Sequence, residues 1–232
     1  MRNSHNIGTY LTGREIVSAG IYLVFQIFLL TGFLQWANAQ MASPLNSAEL
    51  NFLFYLINFM AMLLIFHDFL GRSARQVTQH PLYFCEAVIL GFVAYYALNW
   101  LTTWIIGLLV PGFSNYNDEV IYELRRGNPF LMFIGTVILV PPFEECMYRG
   151  LIFKSLYRNS KPLAYIISIM VFALIHIIGY IGTYSVLELL MAFLQYLPAG
   201  LCLAWSYVRG DTIFAPILIH AAINYIAIGG LR

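Results

Sequence analysis

Five ionisable side chains lie deep inside apolar stretches of this 232-residue sequence. They are Glu144, Glu145, Arg149, His176 and His220. A charged side chain near the centre of a bilayer costs about 2.5–3.5 kcal/mol on insertion scales, so each such residue is a candidate for function. Carboxylates and imidazoles transfer protons and bind metal ions. We therefore expect these five residues to contain a functional site and its supporting groups.

Helical spacing separates the five side chains into two groups. Residues four apart stack on one helix face, whereas adjacent residues diverge by about 100°. Glu145 and Arg149 are four apart and are predicted to form an ion pair. Glu144 points to another face, with Tyr148 one turn above it, and has no partner on its own helix. We predict that its partners are the two histidines, which lie on other helices.

Each histidine has a companion four residues away. Asn224 follows His220 and places an amide beside an imidazole, and Phe172 precedes His176 in the same register. Polar residues also hold membrane helices together, and Asn224 or the ion pair could have that role alone. Adhesion does not explain an unpaired glutamate and two histidines on three separate helices. This combination therefore predicts a functional site.

The composition shows what must surround the site. The sequence is 60% hydrophobic and 10% charged, with a mean hydropathy of +0.75, whereas soluble domains contain about 25% charged residues. A soluble enzyme is therefore excluded. The formal net charge of +1 provides no basic surface for nucleic acid. Three cysteines without a C-x-x-C pair indicate neither a disulfide framework nor a zinc knuckle.

Apolar runs of about 20 residues predict an all-α, polytopic bundle of about seven transmembrane helices. No internal repeat or long linker interrupts these runs. The predicted spans are approximately Ile16–Trp36, Leu50–Phe69, Phe84–Val110, Pro129–Tyr157, Leu163–Tyr180, Val186–Tyr207 and Ile213–Gly229.

The distribution of Lys and Arg predicts the orientation of the bundle, because cytoplasmic loops carry the excess of positive charge. With the N-terminus inside, eight basic residues lie on the cytoplasmic side and three lie outside. The eight are Arg2, Arg14, Arg72, Arg75, Lys154, Arg158, Lys161 and Arg209, and the three are Arg125, Arg126 and Arg232. The sequence therefore predicts an N-terminus inside and a C-terminus outside.

Three short motifs occur in order in the last four spans. Residues 144–149 read E-E-x-x-x-R, residues 172–176 read F-x-x-x-H and residues 220–224 read H-x-x-x-N. In this order and spacing they resemble the CPBP family of intramembrane proteases, which includes the type II CaaX prenyl endopeptidases and the bacterial Abi, bacteriocin-processing and immunity proteins. The resemblance covers about residues 130–229. It divides the chain into a three-span region without family motifs, residues 1–128, and a four-span catalytic core, residues 129–232.

The resemblance implies an intramembrane endopeptidase that hydrolyses a peptide bond with a glutamate-activated water and no cofactor. In this scheme Glu144 is the general base, and His176 holds and polarises the water. His220 and Asn224 stabilise the oxyanion that forms on the scissile carbonyl. The supporting residues are Glu145, Arg149, Phe172 and Tyr148.

Other mechanisms and functions stay open. A zinc site built from Glu144, His176 and His220 is one alternative, although the H-E-x-x-H motif of zinc proteases is absent. Cys146 lies about 200° round the helix from Glu144 and is not expected to be a nucleophile. A non-catalytic membrane scaffold, immunity or regulatory protein is a second function, and a small transporter with a Glu/His proton relay is a third.

Two consecutive prolines, Pro141 and Pro142, lie just before the glutamate pair. Proline removes a backbone N–H and disturbs the helix around it. We expect a local kink that either opens a water path to Glu144 or serves only for packing.

The resemblance also implies the partners and the location of the protein. A peptide or membrane-protein substrate and the lipid bilayer are expected, a regulatory membrane protein is a further candidate, and nucleic acid is not expected. Seven spans with short loops are more typical of the bacterial branch of the family. We therefore expect a multi-pass protein of a bacterial plasma membrane.

Overall fold

The computed structural model describes residues 10–230, and these residues form helices without a β-strand. In chain order the helices are α1 (Gly13–Ala39), α2 (Ser47–Gln79), α3 (Pro81–Leu109), α4 (Tyr116–Gly127), α5 (Pro129–Tyr157), α6 (Lys161–Tyr180), α7 (Val186–Gly210) and α8 (Phe214–Gly230). The predicted all-α architecture is confirmed.

Within the described part of the chain, six helices are long and apolar enough to cross a membrane, and α8 is a shorter apolar helix. These seven helices correspond one to one with the predicted spans, so the prediction of about seven spans is confirmed. The chain is a multi-pass membrane protein. Its orientation stays a prediction, and two of the charges used for it, Arg2 and Arg232, lie outside the described residues.

Helix α2 extends past its predicted end at Phe69 as far as Gln79. The additional turns carry Arg72, whose Nη2 lies 2.6 Å from Oε2 of Glu15 on α1. Glu15 is buried and also closes the N-terminal cap of α1. An ion pair between the two helices therefore fixes the polar end of α2 against the start of α1.

Between α3 and α5 the charge pattern predicts only an outside loop, but the structure contains the short helix α4. Asn115 caps this helix by accepting a hydrogen bond from the backbone N–H of Asn117. Acidic residues in the first turn and arginines in the last turn complement the helix dipole. The segment is too short and too polar for a span, so hydropathy alone does not indicate it.

Helix α5 continues through Pro141 and Pro142. The turns Ile134–Leu139 before the prolines and Cys146–Phe153 after them are π-helical. In the first of these turns the Val140 N–H bonds to the Gly135 carbonyl, five residues back. Because neither proline has an N–H, the wider turns accommodate the missing donors without ending the helix.

The buried core is formed by α5 and the last three helices, together with Met62, Phe66 and Phe69 of α2 and Ala19 of α1. Helix α7 passes so close to α6 that a Cβ on Gly200 would lie 3.1 Å from the Ile169 side chain and 3.2 Å from Ile169 Cα. Small residues allow this approach of two membrane helices. The approach brings the Gly200 carbonyl within 3.3 Å of Arg149 Nη2, so the packing of α6 on α7 is linked to the E-E-x-x-x-R motif.

Candidate active site

Glu144, His176 and His220 meet inside the bundle from three different helices. Oε2 of Glu144 on α5 lies 4.0 Å from Nε2 of His176 on α6 and 4.0 Å from Nε2 of His220 on α8. This oxygen is buried and has no hydrogen-bond partner within the protein. The structure therefore brings together the unpaired glutamate and the two histidines that helical spacing selected as its partners.

His176 is held by a backbone carbonyl and two aromatic rings. Its Nδ1 lies 2.7 Å from the Phe172 carbonyl oxygen. A carbonyl only accepts hydrogen bonds, so Nδ1 carries the proton and donates, and Nε2 is left to face Glu144. The Phe172 ring centroid lies 4.6 Å from the imidazole, and the Tyr196 ring of α7 stacks on it at 4.3 Å.

His220 is oriented by Glu145, a contact that the motif spacing did not reveal. Its Nδ1 lies 2.8 Å from Oε1 of Glu145, and Nη1 of Arg149 donates to the same oxygen at 2.9 Å. The side chains of Glu145 and Arg149 are 0% exposed. The expected ion pair is therefore present in the structure, and it also directs Nε2 of His220 towards Glu144.

Arg149 has further partners that make its burial tolerable. Besides Glu145, it donates from Nη2 to the Gly200 carbonyl, and its guanidinium lies 4.3 Å from the centroid of the Phe172 ring. A buried charge is stable only when it is paired and hydrogen-bonded. Phe172 is itself buried and packs edge to face against Tyr148 at 5.7 Å. Phe172 thus contacts the ion pair, Tyr148 and both histidines.

Asn224 is anchored to the part of α5 that the prolines disturb. Its Nδ2 donates to the Thr136 carbonyl at 2.8 Å. That carbonyl lacks a helical donor, because the Val140 N–H bonds to Gly135 instead and Pro141 has no N–H. The Asn224 amide therefore replaces a missing backbone hydrogen bond. Asn224 and His220 both line the same cavity.

A cavity of about 220 Å³ surrounds these groups, which is room for several water molecules. The motif residues that line it are Glu144, Phe172, His176, His220 and Asn224. The other polar and aromatic lining residues are Tyr55, Tyr95, Asn99, Asn115, Asn117, Asp118, Thr136, Gln195 and Tyr196. Cys146 is buried in the core and is not part of the cavity wall.

Helix α4 contributes one part of the cavity wall. Asp118, on the first turn of α4, lines the cavity beside Asn117 and lies next to Glu119 in sequence. Loss of surrounding water, together with the charge of Glu119, raises the pKa of Asp118 to about 6.

Among residues 10–230, no group of three or more His, Cys, Asp or Glu side chains is arranged to hold a metal ion.

Comparison with known protein families agrees with the three motifs. Residues 126–226 match the Rce1-like family of type II CAAX prenyl endopeptidases. The resemblance predicted from the sequence is confirmed. This Rce1-like region contains all three motifs and runs from the end of α4 into α8.

Curated relatives come from bacteria. The UPF0177 protein YbdI of Lactococcus lactis subsp. lactis (strain IL1403) is 26% identical over 141 residues, which are 52% of this chain and 71% of that protein. A UPF0177 protein in the abiGi 5′ region of Lactococcus lactis subsp. cremoris is 30% identical over 116 residues, 50% of this chain and 44% of that protein. No solved structure gives a significant match.

A Bacillus subtilis (strain 168) relative carries the name "Putative membrane peptidase YdiL". It is 29% identical over 114 residues, which are 49% of this chain and 42% of that protein. Apart from YbdI, the relatives described here are matched over less than half of their own length. The description of the matching family and the printed name of this relative both refer to peptidases.

Several cavity residues lie outside the Rce1-like region and were not predicted as site residues. Tyr55 comes from α2, Tyr95 and Asn99 come from α3, and Asn115, Asn117 and Asp118 come from the N-terminal cap and first turn of α4. One available signal was Asn99, an amide within an apolar run. The other was the polar run 115–119 between two spans. The boundary at residue 128 stays a prediction, but helices from both sides of it line one cavity.

Proposed function

We propose that this protein is an intramembrane endopeptidase in which Glu144 activates a water molecule. The observation that carries the proposal is the buried, unpartnered Oε2 of Glu144, which faces Nε2 of His176 and Nε2 of His220 at 4.0 Å each. A water between these three atoms would be within hydrogen-bond reach of all of them. Such a water is oriented by the imidazoles and can lose a proton to the carboxylate.

The reaction follows from this placement. The water oxygen bonds to the scissile carbonyl carbon while its proton moves to Glu144, and the carbonyl oxygen becomes an oxyanion. When the intermediate collapses, the carbon–nitrogen bond breaks and the proton on Glu144 passes to the leaving amine. Both steps use one carboxylate, first as base and then as acid. His176 donates from Nδ1 to Phe172, so its Nε2 accepts a hydrogen bond from the attacking water.

The oxyanion would be stabilised by His220 and Asn224. Glu145 accepts from Nδ1 of His220 at 2.8 Å and so directs Nε2 of the ring into the cavity, where an Nε2–H would donate to the oxyanion. Asn224 uses one N–H for the Thr136 carbonyl and retains the second for the substrate. Two donors preorganised in a site of low dielectric supply the kind of stabilisation that dominates acyl-transfer catalysis.

The proposed substrate is a peptide or a membrane-protein segment. Amides from three helices line the cavity beyond the catalytic groups: Asn99 on α3, Asn117 on α4 and Gln195 on α7. Each amide offers both a donor and an acceptor, which suits the alternating groups of a peptide backbone. A regulatory membrane partner stays a further proposal.

Cleavage by reconstituted protein tests the proposal. Wild type and Glu144→Gln are placed in nanodiscs and incubated with a library of soluble and membrane-segment peptides, and the products are identified by mass spectrometry. Glu123→Gln is the matched control, because that carboxylate is 67% exposed on α4. We expect Glu144→Gln to lose cleavages that the control retains.

Two results would contradict this function. Identical cleavage patterns from wild type and Glu144→Gln would favour a non-catalytic scaffold or immunity protein. Activity that is abolished by a chelator and restored by zinc would replace the glutamate mechanism with a metal-dependent one.

A further inference from the structure

The imidazole of His176 lies between two aromatic rings from different helices. The Phe172 ring, one turn earlier on α6, is tilted by 50° to the imidazole at a centroid distance of 4.6 Å. The Tyr196 ring of α7 is nearly parallel to it, at 27° and 4.3 Å. The hydrogen bond to the Phe172 carbonyl fixes only Nδ1. The aromatic ring on each side restricts rotation of the imidazole about that bond.

Tyr196 is in turn connected to the start of α4. Its hydroxyl donates a long hydrogen bond of 3.4 Å to Oδ1 of Asn115. Asn115 is 7% exposed, and its Nδ2 donates to Oε1 of Gln195 at 2.9 Å. The same Asn115 oxygen caps α4 by accepting from the Asn117 N–H. The residue that caps α4 is therefore bonded to α7 beside the ring that packs on His176.

Helix α4 is attached to the rest of the bundle at both ends. At its start, the Tyr116 ring stacks on Tyr184, and the Tyr116 hydroxyl donates to the Glu188 carboxylate. At its end, Nη1 of Arg125 donates to the Ile228 carbonyl of α8 at 2.6 Å. Residues of the first turns of α4 form part of the cavity wall. The position of α4 is thus linked by direct contacts to the ring beside His176.

We propose that Tyr196 is a positioning residue for His176 and that Asn115 ties this ring stack to the seating of α4. This proposal rests on the proposed function, because that function makes the orientation of His176 matter for catalysis. The Tyr196 ring keeps Nε2 of His176 directed at Glu144 and excludes water from the outer face of the imidazole. Tyr196 does not touch the reacting atoms. Tyr196 acts by holding the His176 ring, and α4 acts by holding Tyr196 through Asn115.

Ring spectroscopy of His176 tests the first half of the proposal without a substrate. The full-length protein is labelled with ¹⁵N-histidine in nanodiscs, and His176→Gln assigns the signals. Wild type is expected to show one Nδ1–H tautomer. Tyr196→Leu removes the ring and is expected to shift or broaden these signals, whereas Tyr196→Phe keeps the ring and should retain them. Tyr165→Leu is the matched control, since Tyr165 packs on Phe153 and Tyr157 and not on His176.

Two further measurements complete the test: the kinetics of peptide cleavage and the hydrogen exchange of the α4 amides. On a peptide that wild type cleaves, Tyr196→Leu is expected to lower kcat by about 10–100-fold, with KM changed by less than about threefold. Asn115→Ala is expected to broaden the His176 signals less than Tyr196→Leu does, and to speed hydrogen exchange in α4.

The outcomes separate this proposal from the function it rests on. Unchanged His176 signals in Tyr196→Leu would overturn the positioning role, even if this variant loses as much thermal stability as Tyr165→Leu. Unchanged His176 signals in Asn115→Ala would overturn the link to α4. If no cleavage depends on Glu144, the proposed function fails, while the His176 spectra still decide whether Tyr196 positions the ring.

Discussion

Nδ1 of His220 and Oε1 of Glu145 lie 2.8 Å apart, which joins two motifs that are 75 residues apart in the chain. The same carboxylate oxygen accepts from Arg149 at 2.9 Å. Oε1 of Glu145 therefore accepts hydrogen bonds from two side chains at once. One is Arg149, which is fully buried, and the other is His220, which lines the cavity. The two adjacent glutamates therefore have different surroundings: Glu144 faces the cavity, and Glu145 orients a histidine of that cavity.

The first prediction concerns the charge balance around Glu145. Glu145→Gln leaves Arg149 buried without a counter-charge, which is expected to destabilise the fold by about 3–5 kcal/mol. Glu145→Gln combined with Arg149→Met removes both charges and is expected to be more stable than Glu145→Gln alone. Unfolding by SDS titration in mixed micelles measures both. A double variant that is no more stable than Glu145→Gln alone would contradict the pairing.

The second prediction concerns Asn224 and the proline-disturbed turn. Asn224→Ala leaves the Thr136 carbonyl unpaired and is expected to cost about 1–3 kcal/mol of stability. Pro141→Ala supplies an N–H that can reach this carbonyl. In the Pro141→Ala background, the stability cost of Asn224→Ala should therefore become smaller.

The loss of cleavage in Asn224→Ala separates the structural and catalytic roles of this amide. Removal of one oxyanion donor is expected to lower kcat by about 10²–10³-fold, and Pro141→Ala should not restore it. If stability and cleavage recover together, Asn224 is only an anchor.

The third prediction concerns the close approach of α6 and α7. A Cβ at Gly200 would press on Ile169, including its backbone Cα at 3.2 Å. Gly200→Ala is therefore expected to destabilise the protein by about 1–3 kcal/mol and to move the carbonyl that Arg149 contacts. Gly107→Ala is the control, since nothing lies within 4 Å of a Cβ there. Equal stability of Gly200→Ala and Gly107→Ala in SDS titration would contradict this prediction, because it would mean that α6 and α7 can move apart without loss of stability.

The fourth prediction concerns the pH dependence of α4. The pKa of Asp118 is about 6, above the ordinary value of 3.8. Because the folded state holds the proton more tightly, this group stabilises α4 most below pH 3.8, and the contribution is lost as the pH rises from 3.8 to about 6. Asp118 lines the cavity, but part of its surface stays exposed to solvent, so screening keeps the effect small.

Hydrogen exchange of the α4 amides, corrected for intrinsic rates, measures this effect. Protection in wild type should be greater at pH 4.5 than at pH 7, and Asp118→Asn should remove the difference. A pH dependence that persists in Asp118→Asn would assign it to another group.

The sequence alone predicts the seven apolar helices and the three converging residues, because both depend on local signals. Apolar runs give the spans, and ionisable residues inside them stand out by their cost in lipid. Glu145 with Arg149, and His220 with Asn224, were visible because residues four apart share a helix face.

Contacts between helices could not be predicted in the same way. The bond from Glu145 to His220 depends on how α5 packs against α8, and Tyr196 meets His176 only because α7 crosses α6 closely at Gly200. The anchoring of Asn224 depends on which carbonyl the π-helical turn leaves free. Helix α4 was missed because its polar residues give no span signal, although it contributes part of the cavity wall.

The central claim is that Glu144 activates the water that hydrolyses the peptide bond. The most direct measurement is kcat on one identified peptide in H₂¹⁸O, with chelator present, for wild type, Glu123→Gln and Glu144→Gln. We predict one ¹⁸O in the new carboxyl group of the product for wild type and Glu123→Gln. For Glu144→Gln we predict a kcat that is lower by about 10²–10⁴-fold. Equal rates for wild type and Glu144→Gln, or activity that chelator removes, would contradict the claim.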